Sequence, residues 1–211
     1  MATSAALNKS GVSVADAPHR DLSQFRTWAF LLHAVLMIVT FLGIFASGIL
    51  FGRFGRTFLP NSWFRKHRAI QTAGVLTMVV AAVFAIIGVQ IAGIPHFSRP
   101  HQQLGLIIIV LVLLQAIGGQ AGHVIRQKYG HRAQNAFHVV GGIAIFVLGA
   151  INVQRGLKDW GWKPDPRWGS WLLGWSILLG LVFVAGLGLV PAQRREELDR
   201  VAAEERAPLL R

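Results

Sequence analysis

The sequence predicts an all-α, polytopic membrane protein of five transmembrane helices, four of which form a histidine-bearing core. Three observations predict it. The 211 residues are 53% hydrophobic and only 14% charged, a balance rare in soluble domains of this size. Five stretches approach the roughly 20 apolar residues that cross a hydrocarbon core, near Thr27–Phe51, Ala69–Ile94, Leu104–Gly122, Ala136–Val153 and Trp171–Val190. Four histidines, His33, His67, His101 and His138, each stand close to the beginning of a span, at steps of 34, 34 and 37 residues (33 to 67, 67 to 101, 101 to 138).

Residues 1–26 are small and polar, without the apolar run of a cleavable signal peptide. They are expected to form a flexible tail. The transmembrane domain then runs over residues 27–190, and residues 191–211 form a polar tail. Trp28 suits an interfacial anchor at the start of the first span. The first loop, Gly52 to His67, is basic, and Pro60-Asn61-Ser62 reads as a turn with Ser62 as N-cap. The second connection, Gly93 to Pro100, is a tight reversal, with Pro100 suited to a first helical turn. The third loop carries Arg126, Lys128, His131 and Arg132. The fourth, Gln154 to Gly169, has mixed charge and three tryptophans, as an interfacial segment does. Helix is expected to continue beyond the polar ends of the third and fourth apolar runs.

The net charge of +12 does not point to nucleic acid, because no basic segment carries a binding motif. Membrane orientation accounts for it. With the N-terminal side called A, loops one and three and the C-terminus fall on side B. Those two loops carry Arg53, Arg56, Arg65, Lys66, Arg126, Lys128 and Arg132 and no acidic residue. The positive-inside rule makes side B cytoplasmic. Cysteine is absent, so disulfides, thiolate-bound clusters and thiol catalysis are excluded. Redox chemistry would need a bound cofactor.

Alternation of the spans sorts the histidines by depth. His33 and His101 fall in the side-A half, His67 and His138 in the side-B half. Two imidazoles from two helices, facing across a planar iron, are what a bis-histidine haem b requires. The layers should lie on the order of 20 Å apart. At about 100° per residue, small residues share the histidine faces: Gly74, Ala81 and Ala85 with His67; Gly105, Gly119 and Gly122 with His101; Gly142, Gly149 and Asn152 with His138; Gly48 with His33. That pattern predicts room for two porphyrins. Packing by polar and small residues would also place histidines and glycines there, but intramembrane ionisable groups default to function. His19, His96, His123 and His131 read as tail or loop residues. Gln115 and Asn152 read as interhelical amides.

Several local patterns then resemble the cytochrome b561 family, closest to its ferric-reductase-type and DOMON-linked transmembrane domains. They are His33-Ala-Val-Leu-Met37 with Gly48 and Arg53, Trp63-Phe64-Arg-Lys-His67-Arg68-Ala-Ile-Gln71, His101-Gln-Gln-Leu-Gly105 with Gln115, and Asn135-Ala-Phe137-His138-Val-Val-Gly141 with Asn152 and Gly156. The resemblance spans Trp28 to Val190. It implies two haems b, ligated by His33 with His101 and by His67 with His138, and one-electron transfer across the membrane. Arg53 and Arg68 are candidates for the haem propionates. The di-haem reading takes electrons from a cytosolic reductant such as ascorbate to a ferric chelate or a partner redox protein, although the basic cytosolic signature of the ascorbate-dependent branch is not evident; the resemblance also implies homodimers, for which the fifth span offers a surface. The chain departs from the family at Ala46-Ser47, where a proline is common, and no DOMON module is expected in it. Glu205-Arg-Ala-Pro-Leu209-Leu210 resembles an acidic dileucine signal of vacuolar or endosomal membranes. The alternative left open is a haem-free transporter or scaffold whose histidines bind protons or a metal.

Overall fold

The computed structural model describes residues 22–129, 133–159 and 166–206. His19, His131, Trp160, Trp162 and Leu209-Leu210 lie outside them. The described residues form seven α-helices and one π-helical segment. The first span is continuous: α1 (Ser23–Ile38) passes through the π-helical turns Val39–Phe45 into α2 (Ala46–Phe58). There follow α3 (Trp63–Ala92), α4 (Pro100–Tyr129), α5 (Ala133–Asp159), α6 (Pro166–Leu187) and α7 (Val190–Arg206). Five helices are long and apolar enough to cross a bilayer: Ser23–Phe58, Trp63–Ala92, Pro100–Ile125, Ala136–Asp159 and Ser170–Leu187. The chain is an integral, multi-pass membrane protein.

The helices outrun the apolar stretches at both ends. A 30-residue helix such as α3 is about 45 Å long, enough for the hydrocarbon core and both headgroup regions. Arg53 and Arg56 are therefore helical, at the end of α2, and Arg65 and Lys66 sit in the first turn of α3. The expected sixteen-residue loop shrinks to Leu59–Ser62. Ser62 stands at the N-cap, but its side chain makes no capping bond; the Trp63 and Lys66 amides turn instead on the carbonyls of Leu59 and Ser62. Pro100 opens α4 as expected, and Gly93 ends α3 with φ +62°, a left-handed conformation that glycine adopts without strain. The described part of the polar tail is helical, in α7 (Val190–Arg206).

The first span packs along α3, and α4 packs along α5; α3 meets α4, the first span meets α5, and α6 lies against α2. Phe41, Phe45, Met78, Ile108, Val112, Ile145, Val153 and Leu157 form the buried centre of this bundle. Glycines let it close. A Cβ on Gly74 would lie 2.3 Å from the Phe45 ring, and one on Gly149 would lie 2.1 Å from Phe41. In lipid, where water exclusion adds little between helices, such close approach is a main source of association.

Gly149→Ala is therefore expected to destabilise the bundle by about 1–3 kcal/mol through overpacking, read as a lower melting temperature in detergent. Gly174 faces open space, so Gly174→Ala is expected to be neutral or to gain up to ~1 kcal/mol of helix propensity. Equal effects at the two positions would refute this account of the glycines.

Candidate functional site

Each core histidine is held from a neighbouring helix. His33 in α1 donates Nδ1–H to the Ala81 carbonyl of α3 at 2.9 Å. His67 in α3 donates to the Gly48 carbonyl of α2 at 2.8 Å. His101 in α4 donates to both oxygens of Asn152 in α5, at 3.0 Å to the carbonyl and 3.2 Å to Oδ1. Carbonyl oxygens only accept, so Nδ1 carries the proton and a neutral ring keeps its lone pair on Nε2, ready for a metal. A helical carbonyl has a second lone pair, and at Gly48 and Ala81 little side chain covers it. His138 differs: its Nδ1 is buried with no hydrogen-bond partner among the described residues, while Gln115 Nε2–H donates to its main-chain carbonyl.

Glycines on neighbouring helices seat three of these rings. A Cβ on Gly52 would lie 2.9 Å from the His67 ring, on Gly119 2.6 Å from His138, and on Gly156 2.7 Å from His101. This revises the expected use of the small residues. Gly119 seats His138 and leaves no gap beside His101, while Gly142 meets Gln115 and Gly149 meets Phe41. Gly48 serves His67 through its carbonyl. The helical wheel locates such residues on a face, but the neighbour across from that face decides what fills the space.

One pair comes together as rings: the His33 and His101 ring centres are 6.1 Å apart, with planes inclined at 73°. Beside the side-A pair opens a cavity of about 600 Å³, lined by His33, His101, Gly105, Gly149 and Gly156, with Arg26, His96 and Arg99 among its outer residues. Arg26 and Arg99 escaped the sequence reading because charges beside a span read first as orientation signals. Arg53 lies away from this cavity, its guanidinium donating to the Gly186 carbonyl and to Gln193 Oε1. Arg68 is exposed and 6.0 Å from the Phe64 ring.

His96 is exposed in the turn before α4, 3.4 Å from Gln90 Oε1. His123 is not a loop residue. It lies in α4 and stacks on Phe64 at 3.9 Å. The helix continues past the third apolar run to Tyr129, as expected, and carries His123 with it.

A family profile described as eukaryotic cytochrome b561 matches residues 32–163, more than half of the chain and all four histidines. The chain belongs to the cytochrome b561 family. It is 24% identical over 159 residues to a cytochrome b561 domain-containing protein of Arabidopsis thaliana, covering 75% of this chain and 60% of that protein. It is also 24% identical over 152 residues to a cytochrome b561 and DOMON domain-containing protein of the same plant, covering 70% of this chain and 36% of that protein. The chain thus spans about three fifths of one relative and about a third of the other.

The cytochrome b561 family is haem-binding and is one of transmembrane electron transfer in general. The side-A residues of this b561 protein fit a haem. The His33 and His101 ring centres stand 6.1 Å apart, each with Nδ1 committed to a carbonyl and Nε2 left free to hold a metal. The cavity falls inside the range of about 300–1,000 Å³ typical of ligand sites. Around the side-B pair, His67 has its Nδ1 committed to a carbonyl and its Nε2 free, as His33 and His101 do, and both rings are seated on glycines.

Gly156→Leu is expected to push the His101 ring from its seat and lower the haem bound per protein, measured as the pyridine haemochrome. Gly174→Leu, in open space, is expected to leave it unchanged.

Proposed function

We propose that this b561 protein holds two haems b and carries single electrons across the membrane. His33 and His101 would hold the haem on side A, and His67 and His138 the one on side B. The donor is a cytosolic reductant such as ascorbate; the acceptor on the opposite side is ferric ion in a chelate or a partner redox protein. In that role the protein is a transmembrane oxidoreductase of the ferric-chelate or monodehydroascorbate reductase type. The observation that carries this reading is the His33–His101 pair, with ring centres 6.1 Å apart beside a cavity of about 600 Å³.

Haem supplies the reversible one-electron iron couple when bound. The chain supplies the rest. Nδ1 bonds fix the rotation of His33, His67 and His101 and raise the basicity of Nε2. The glycine seats hold ring planes against backbone. Phe41, Ile108 and Val153 wall the cavity and exclude water, so the local dielectric is low and charge changes are felt strongly. Between His33 and Gly48 the first span rises about 22 Å at 1.5 Å per residue, which separates the layers by most of the membrane core. Arg68, at the side-B end of α3, suits a haem propionate. Arg53 is engaged by Gly186 and Gln193, which supports an anchoring role.

The basic ends of α2, α3 and α4 support a cytosolic side B, and with it a cytosolic C-terminus. The dileucine-like tail supports vacuolar or endosomal residence, and the exposed face of α6 supports a homodimer or lipid contact. A haem-free metal transporter finds less support: among the described residues no group of three or more histidine or acidic side chains is placed to hold a metal ion.

The purified protein, expressed with haem supply and reduced, is expected to show a b-type α-band. A spectrum without one sinks the proposal. His67→Ala or His138→Ala is expected to remove about half the haem and to spare the side-A pair. Retention of both haems in these variants refutes the pairing. In vesicles loaded with ascorbate, reduction of the haem followed by reoxidation with external ferric chelate is the expected sequence, and a tag on the C-terminus is expected to remain cytosolic.

A further inference from the structure

The fifth membrane helix, α6, lies outside the stretch that matches the family, yet it is bonded to the first span at two levels. Arg53 donates to the Gly186 carbonyl, and Gln193 of α7 returns bonds to the Arg53 carbonyl and Thr57 Oγ1. Further along, the Trp175 indole N–H donates to the Leu42 carbonyl at 2.9 Å.

Leu42 sits inside the π-helical turns. In an α-helix its carbonyl would take the amide of Ala46, but that amide goes to Gly43 instead. An indole N–H at this depth has no water to turn to, and the Leu42 carbonyl satisfies it.

The π turn has a geometric consequence. In an uninterrupted helix at about 100° per residue, Gly48 stands about 60° and Gly52 about 100° away from the direction of His33. Widening one turn by one residue sets all later residues back by about 100°. Gly52 then falls in line with His33, and Gly48 within about 40° of it. That is the alignment the bonds require: His33 reaches Ala81 on α3, and Gly48 and Gly52 receive His67 from the same α3. One helix faces α3 at both layers because the π turn corrects its phase.

We infer that Trp175 is a positioning residue: its N–H bond to Leu42 holds the π turn, and through it the register of His33 and of the Gly48–Gly52 seat. The fifth helix is thus a register clamp for both histidine layers. The inference rests on the reading that these histidines hold haem.

The test is Trp175→Phe in the full-length, haem-loaded protein, with Trp171→Phe as control. Trp171 is on the same helix and 73% exposed. Low-spin electron paramagnetic resonance and redox titration read the two haems. W175F is expected to shift the resonance positions and midpoint potentials while retaining haem, and to speed amide exchange over residues 39–46; W171F is expected to do neither. A W175F protein with wild-type resonances, potentials and exchange overturns the inference. Wild-type protein gives a second reading that needs no variant. Its amides over residues 39–46 are expected to exchange as slowly as those of residues 31–38, and fast exchange there also overturns it. A wild-type protein without a b-type spectrum defeats the haem reading alone, and the exchange comparison still decides the clamp.

Discussion

The structure depends on one constraint: inside a membrane, a polar group must find its partner within the protein. An imidazole offers two nitrogens, and a bare ring in hydrocarbon is costly. Three of the four core histidines meet the constraint in one way, by giving Nδ1–H to a main-chain carbonyl on another helix. That single bond ties two helices, sets the tautomer and leaves the Nε2 lone pair free. Helix pairing, ring orientation and readiness for a metal are one interaction seen from three sides.

The glycines follow from the same bond. A carbonyl in mid-helix is reached only where its neighbourhood is thin, and a ring lies flat on a helix only where no Cβ stands. Hence the histidine of one span answers to a glycine of another: His67 to Gly52, His101 to Gly156, His138 to Gly119. The pattern is reciprocal between α4 and α5, with His101 seated on α5 and His138 on α4. Phe41 and Phe45 fill the level between the layers, edge to face at 5.3 Å, and use Gly149 and Gly74 in the same manner. The resulting core is dry and closely packed at its centre and opens towards side A.

Much of this was legible in the chain. Five apolar runs set the number of spans, because hydrocarbon thickness admits little else. Alternation put the histidines at two depths with no information beyond their order. Gly93 and Pro100 marked a turn that their backbone chemistry nearly compels. Less was legible at the helix ends. Arg53, Arg56, Arg126 and Lys128 read as loop residues because they end the apolar runs, yet hydrogen bonding carries the helix on through the headgroup region. His123 was misread for the same reason.

The sequence by itself determined the spans, their order across the membrane and the depth of each histidine, since these follow from hydrophobic length and alternation, which are properties of a chain in a slab. Only the tertiary structure decided what each histidine and glycine touches. Gly119 shares a face with His101 yet seats His138, and Arg53 turns to Gly186 in α6. A helical wheel gives the direction of a side chain but not the identity of its neighbour, and the π turn at Val39–Phe45 resets even the direction. That turn is held by a partner more than a hundred residues away, Trp175, which no local pattern connects to Leu42.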